Sequence, residues 1–235
     1  MTRVPAPKAV LFDLFHTLAN VPPPATVGEP TLPEILGVPA AEFQRHYYDE
    51  DTLGRCLGRI HDDVEAMRLI ARSIDPAVTE ERILAAVQSR RRRFEHALVR
   101  VESPILEALD RLTAAGVRMA LVSDAGADDV ASWTRSPLRE RLDAVVFSYE
   151  LGVRKPDPRI YLHALDALGA RPQDAIFVGD GGSDEHRGAR AVGMQTVFVT
   201  RFLRQWWPDK VDERRPHADW EFDDVAAFVG ALGFY

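Results

Sequence analysis

The chain contains one cysteine, Cys56, so no disulfide can form within it. That scarcity fits a reducing compartment, and the cytoplasm is the expected location. No nucleophile motif surrounds Cys56, which reads as a buried small apolar group. No apolar run approaches the length of a membrane span. The N-terminal string MTRVPAPKAVLFDLF lacks a signal-peptide core, because its apolar run is short and is interrupted by Asp13. A membrane partner is therefore not expected. Positive charge is not in excess either: 29 Lys and Arg stand against 36 Asp and Glu, for a formal net charge of -7. That balance disfavours a nucleic-acid partner. Between Asn20 and Leu98 there is no lysine at all, so imine chemistry has no carrier in that span.

What is present is ordinary globular material, 46% hydrophobic and 28% charged over 235 residues. The short apolar segment Lys8–Phe12 reads as a buried strand that ends at Asp13. Prolines between Val21 and Glu34 predict a connector without regular helix or strand. From Pro39 to about Leu98 the pattern is helical. Thr79 is placed to cap a helix with Glu80 and Glu81 in its first turn and Arg90 to Arg93 in its last turns. The four arginines read as a solvated helix end. Ser103-Pro104 opens another helix, with Ile105, Leu106, Leu109 and Leu112 on one face and Gly116 closing it.

Strands then read at Val117–Val122, Ala144–Ser148, Ala175–Gly179 and Gln195–Val199, with helices at Pro158–Leu168 and Asp184–Val192. Such alternation predicts an α/β fold, a Rossmann-like parallel sheet with helices on both faces. Residues 1–20 and 99–235 would form the core, and residues 21–98 an inserted all-helical domain.

Ligands of such sheets sit beyond the C-terminal strand ends. Asp13, Ser123 and Asp180 all fall there. Asp13 is a candidate nucleophile or metal ligand. Asp180, with Asp184 or Glu185, offers the hard oxygen ligands that suit Mg²⁺. Gly179, Gly181 and Gly182 permit a tight turn beside a ligand. Lys155 and Ser123 add a cation and a hydroxyl for an anionic transferred group. Each residue alone has a plain structural reading as a cap, a turn former or a surface charge.

Together, FDLFHTL (12–18), VSDA (122–125), RKPDP (154–158) and VGDGGSDE (178–185) resemble the four ordered motifs of the haloacid dehalogenase-like hydrolases. GARAVGM (188–194) and ADWEFDD (218–224) are similar to the same family's C-terminal half. The resemblance implies a hydrolase in which Asp13 forms a covalent aspartyl intermediate and Thr17 positions the first motif. Ser123 would bind the transferred group, with Asp124 and His16 beside the substrate, and Lys155 would screen Asp13. Mg²⁺ would be held by Asp13, the carbonyl of Phe15, Asp180 and Asp184, with Glu185 as the alternative to Asp184; whichever of the two serves would hold the metal through water or secure Lys155. The helical insert resembles the family's C1-type cap, and the expected partner is a small organic phosphate.

The chain departs from the phosphatase pattern D-x-D-G-T at its third position, where Phe15 stands. A phenyl ring cannot move a proton. Four readings compete. A phosphatase could take its acid from His16 or from His46, Tyr48 or His61 of the insert, or act on a leaving group that needs no proton. A C–halogen hydrolase needs no acid, and the family's dehalogenases carry an aromatic residue here. Against it stand Gly179-Asp180 and Asp124, whose charge would repel a substrate carboxylate. Phosphonate cleavage needs a cap lysine, which is absent. A weakly active phosphate-binding regulator is the fourth. The expectation is a Mg²⁺-dependent phosphatase. Arg45, His46, Tyr47, Tyr48, Arg55, Arg59 and Arg68 of the insert are candidate substrate contacts, with Tyr48, Arg55 and Arg59 sharing one helix face at spacings of seven and four. Trp206-Trp207 is expected to pack on the core, a site mouth or a dimer contact.

Overall fold

In the computed structural model, which describes residues 4–49 and 54–234, the apolar run Ala9–Phe12 forms strand β1 with all four residues buried. Residues 1–3 of the N-terminal string, residues 50–53 of the expected helical span, and residue 235 lie outside the described residues. The proline-rich stretch is more ordered than expected. It holds a 3₁₀ turn at Pro24–Val27 and helix α1, Leu32–Leu36. Thr31 and Glu34 form a reciprocal capping box on α1, and Pro33 sits in the first turn, where its missing N–H costs no helical bond.

The helical span then divides into α2 (Ala40–Tyr47), α3 (Asp63–Ile74) and α4 (Glu80–Val99). Asp75 leaves the helical region before Pro76, as a residue preceding proline tends to. Thr79 caps α4 as expected, but α4 runs on to Val99, so Arg90 to Arg93 lie inside it. These helices share an apolar cluster that includes Leu36, Phe43, Met67, Ile70, Ile83 and Val87.

Helix α5 (Ser103–Ala114) follows, with Glu102 rather than Ser103 at its N-cap position and without a side-chain cap bond. The alternating half continues with β2 (Arg118–Ser123), β3 (Ala144–Phe147), α6 (Ser148–Leu151), α7 (Pro158–Ala167), β4 (Ala175–Gly179) and α8 (Glu185–Ala191). It ends with β5 (Gln195–Val199), α9 (Arg201–Trp206), α10 (Asp209–Arg214), β6 (Trp220–Phe222) and α11 (Val225–Ala231). All strand pairs are parallel, in the order β3-β2-β1-β4-β5-β6. The fold class is the expected α/β one. Strand side chains alternate between two cores. Val10, Phe12 and Val178 join Leu109 of α5 and Phe228 of α11 on one face. Leu11, Val122 and Phe177 join Ile160 of α7 and Ala189 of α8 on the other.

Arg90 corrects the reading of a solvated helix end. It is 4% exposed and forms ion pairs with Asp128 and Asp129, in the loop after β2. Its Nε donates to the Tyr47 hydroxyl at 2.7 Å, and Asp129 also accepts from the Gly126 N–H at 2.8 Å. The network ties α4 to the sheet's C-terminal edge. Removing one partner of a buried ion pair strands the other charge, at about 3–5 kcal/mol. Arg90→Met is therefore expected to lower unfolding stability by about that amount in urea titrations, far more than Arg72→Met, whose ion pair with Glu80 is exposed.

Candidate active site

The chain winds from β1 outward through β2 and β3, then returns to lay β4, β5 and β6 on the other side. The reversal between β1 and β4 opens a crevice at their C-terminal ends. Asp13 follows β1 and donates its backbone N–H to the Val178 carbonyl at 2.9 Å, while Asp180 follows β4. Ser123 closes β2 and is buried.

Asp13 has both carboxylate oxygens engaged. Oδ1 accepts from Lys155 Nζ at 2.5 Å and Oδ2 from the Thr17 hydroxyl at 2.9 Å. Lys155 Nζ also donates to Glu185 Oε2 at 2.6 Å. All four residues are buried. Close packing holds the lysine there. A Cβ on Gly188 would stand 2.7 Å from both the Pro156 carbonyl and the Tyr161 hydroxyl, so α8 needs glycine to approach the turn after Lys155. Asp124 serves this turn too: its Oδ1 accepts from the Lys155 backbone N–H at 2.9 Å.

Burial pushes the Asp13 carboxyl up, Lys155 pulls it down, and repulsion from Asp180 raises it again; it ends above its ordinary value. Burial also drives Glu185 well above the usual carboxylate range. For Lys155, burial disfavours the charge, yet Asp13 and Glu185 outweigh it and hold the ammonium well above its usual value. The lysine is thus a permanent cation, and two carboxylates compete for it.

Asp180 accepts from the Gly182 N–H at 2.8 Å through Oδ1 and from Arg214 Nη1 at 2.8 Å through Oδ2. The same guanidinium nitrogen reaches the Asp180 carbonyl at 3.1 Å. Arg214 ends α10 and lies along Gly181, where a Cβ would come within 3.0 Å of Arg214 Cβ. Nothing in the sequence flagged Arg214. It belongs to no motif and is 34 residues from Asp180; its only signal is the basic pair Arg214-Arg215 beyond the last expected helix.

Asp13, Asp180 and Glu185 can bring one oxygen each within 4.8 Å of one another. Three converging hard oxygens at one buried point match what a small divalent cation such as Mg²⁺ prefers. Asp184, expected among the metal ligands, is not in this cluster. It sits in the left-handed region at φ 51°, its side chain is exposed, and Arg187 lies 3.6 Å away. Glu185, the next residue, turns inward instead, and its Oε1 also accepts from the Gly181 N–H at 2.7 Å.

His16 occupies the left-handed region at φ 65°, a conformation glycine adopts freely. Its Nδ1 is buried without a hydrogen-bond partner, and burial lowers its pKa. Its ring meets Trp207 edge-on at 4.9 Å, as Phe15 meets Phe94. These four line a cavity of about 460 Å³ together with residues of α1, α2 and α4. Trp207 therefore lines the cavity, whereas Trp206 packs on the core and donates to Asn20 Oδ1.

Of the insert's candidates, Tyr47 and Tyr48 line this cavity; Arg45 and Arg59 are exposed and Arg68 pairs with Glu80. Tyr48, Arg55 and Arg59 do not share a helix face. Helix α2 ends at Tyr47, and Arg55 starts a separate 3₁₀ turn where its guanidinium lies 4.6 Å over the Tyr47 ring. Cys56 is half-buried there rather than buried.

Comparison with known proteins bears on this geometry. A family model described as haloacid dehalogenase-like hydrolase matches residues 7–193. Phosphoserine phosphatase of Thermus thermophilus is 40% identical over 78 residues, 33% of this chain, and the match spans only 31% of that protein. Phosphoglycolate phosphatase 1 of Pseudomonas aeruginosa is 28% identical over 203 residues, covering 83% of this chain and 70% of that one. The structure of L-2-haloacid dehalogenase from Xanthobacter autotrophicus, with chloropropionic acid covalently bound, superposes at a TM-score of 0.64. It covers 96% of this chain and 98% of that one at 18% identity, a likeness of fold.

Proposed function

Since this chain belongs to the haloacid dehalogenase-like hydrolases, we propose that it is a Mg²⁺-dependent phosphatase of small organic phosphates that works through an aspartyl-phosphate on Asp13. The observation that carries the reading is the convergence of Asp13, Asp180 and Glu185 beside a lysine. A metal-free dehalogenation has no use for that oxygen set. We take Asp13, Asp180 and the Phe15 carbonyl to hold the ion, with Glu185 in place of Asp184. When bound, Mg²⁺ supplies positive charge to the transferred group's oxygens. We also take residues 21–98 as a cap of the C1 type that closes the substrate cavity.

The rest of the work falls to the chain. Lys155 favours the ionised form of Asp13 and neutralises charge on the incoming phosphate. Thr17 fixes one carboxylate oxygen so that the other can turn toward phosphorus. Ser123 hydrogen-bonds a phosphoryl oxygen. The Asp13 oxygen bonds to phosphorus, and the bond to the leaving oxygen breaks with its electron pair. Water then attacks the phosphorus, and inorganic phosphate and the free carboxylate are restored.

The test is phosphate release from a panel of monoesters with Mg²⁺ and with a chelator. We expect release only with the metal. Phosphate release that ignores chelation would sink the metal assignment. Chloride release from 2-haloacids without metal would favour dehalogenation, the second reading, which the aromatic Phe15 supports.

Arg214 adds a condition. Its guanidinium already satisfies Asp180 Oδ2, and a charge-assisted hydrogen bond is worth about 1.5–3 kcal/mol. A divalent ion must compete with it. Arg214→Gln is expected to bind Mn²⁺ about tenfold more tightly by titration calorimetry. Weaker binding by the variant would make Arg214 a support for the site instead.

A further inference from the structure

We propose that the substrates are aryl phosphates, monoesters of phenol-like alcohols with a flat apolar body, rather than alkyl phosphates. This inference rests on the phosphatase reading and narrows it. Two independent features lead to it.

The first is the absence of a proton carrier where the leaving group departs. Phosphoryl transfer has a loose transition state in which the leaving oxygen gains charge. A phosphatase that protonates that oxygen is indifferent to its basicity. Here Phe15 holds the position, its ring fixed edge-on against Phe94 at 4.9 Å. We take the other polar groups of the cavity not to replace it. His16 has its Nδ1 buried and its ring edge-on against Trp207 at 4.9 Å, so that nitrogen is not presented to a substrate. The Tyr47 oxygen accepts from Arg90 Nε, and Tyr48 is exposed. The leaving group must therefore depart as an anion. A phenol has a pKa of about 10, whereas water and simple alcohols are far weaker acids. An aryloxide meets the requirement and an alkoxide does not.

The second feature is the shape and lining of the space beside Phe15. The cavity of about 460 Å³ is walled by Phe15, Phe43, Tyr47, Phe94 and Trp207, which suits an aromatic ring stacked or edge-packed among others. Small polar alcohols such as serine or glycolate would leave these walls unfilled. Arg93 places a cation in the wall. Its Nη2 donates to the Pro22 carbonyl at 2.8 Å, while its Nε is buried without a partner. That positive charge complements an aryloxide as charge develops.

The chemistry balances without a further reagent. The Asp13 carboxylate and the aryl phosphate dianion give the aspartyl-phosphate and an aryloxide, which takes a proton from bulk water after release. Water then cleaves the P–O bond to Asp13, and its proton leaves with dihydrogen phosphate.

The experiment is a leaving-group series: kcat/KM with Mg²⁺ for substituted phenyl phosphates spanning several pKa units, alongside phosphoserine and phosphoglycolate. We expect phenyl phosphates to exceed the two alkyl phosphates by about 10²–10³-fold, and log kcat/KM to fall steeply as the leaving-group pKa rises. Phe94→Ala should raise KM for the aryl esters. Alkyl phosphates turned over as fast as aryl ones, or a flat dependence on leaving-group pKa, would overturn the inference and leave the phosphatase reading standing. If no monoester releases phosphate, both fall together.

Discussion

Asp13→Asn is expected to lower turnover by about 10⁴-fold or more, with the fold intact. An amide is too weak a nucleophile to form the covalent intermediate, and losing a nucleophile typically removes nearly all of an enzyme's chemical advantage. The substitution is nearly isosteric. The amide oxygen can still accept from Lys155 and its surroundings remain packed, so destabilisation is not the cause of the loss. The change also removes one of three carboxylates crowded within 4.8 Å. Like charges at such a distance repel, so thermal stability should hold or rise. Stability and activity thus move in opposite directions, which a merely structural aspartate would not produce. Beryllofluoride, a mimic of the acyl phosphate, should protect the wild-type protein against thermal unfolding in the presence of Mg²⁺ and leave the D13N variant unchanged. Substantial phosphate release by the variant would refute covalent catalysis at this residue.

The parts of this site that could be read from sequence share a physical cause. Strands β4 and β5 run as expected because strands buried on both faces show as unbroken apolar runs. The residues just beyond strand ends follow from them, so Asp13, Ser123 and Asp180 fall at the crevice. Strand β6 was not legible: its three residues are all half-buried, and Glu221 interrupts the apolar signal. Helix α1 was hidden by its prolines, since composition counts Pro33 against a helix while position in the first turn makes it harmless.

Charged partners distant in sequence were equally invisible. Arg90 is one of four arginines in a row, and only the fold brings it to Asp128 and Asp129. Arg214 meets Asp180 through the docking of α10 on Gly181. The side chains of Asp184 and Glu185 part because Ser183 and Asp184 both take a left-handed backbone. A left-handed φ at Asp184 sends its side chain outward and lets α8 begin with Glu185 pointing at Lys155. No periodicity encodes that, because adjacent residues at a helix start are equally good N-terminal acids.

Phe15→Asp should give the largest gain, raising alkyl phosphate turnover by about 10²–10⁴-fold, the usual contribution of a positioned acid–base group. The new carboxyl would replace a half-buried ring among Phe94, Arg93 and the other cavity walls. Desolvation there favours its protonated form near neutral pH, the state needed to donate to a departing alkoxide. Asp13 nearby acts in the same direction, and Arg93 against it. The gain should be selective. Aryl phosphates, whose leaving groups need no proton, should change little or slow down as the aromatic wall is lost, so the leaving-group dependence should flatten. A descending limb should appear in the F15D pH profile for alkyl esters, at the pH where the introduced carboxyl ionises. The cost is the Phe15–Phe94 contact and the ring's burial, about 2–4 kcal/mol, which thermal unfolding can check. If the variant is folded and binds metal yet gains nothing on alkyl phosphates, a proton carrier already serves the wild-type site. His16 would then be the group to change, since among the described residues of the cavity wall it alone has a buried ring nitrogen with no partner.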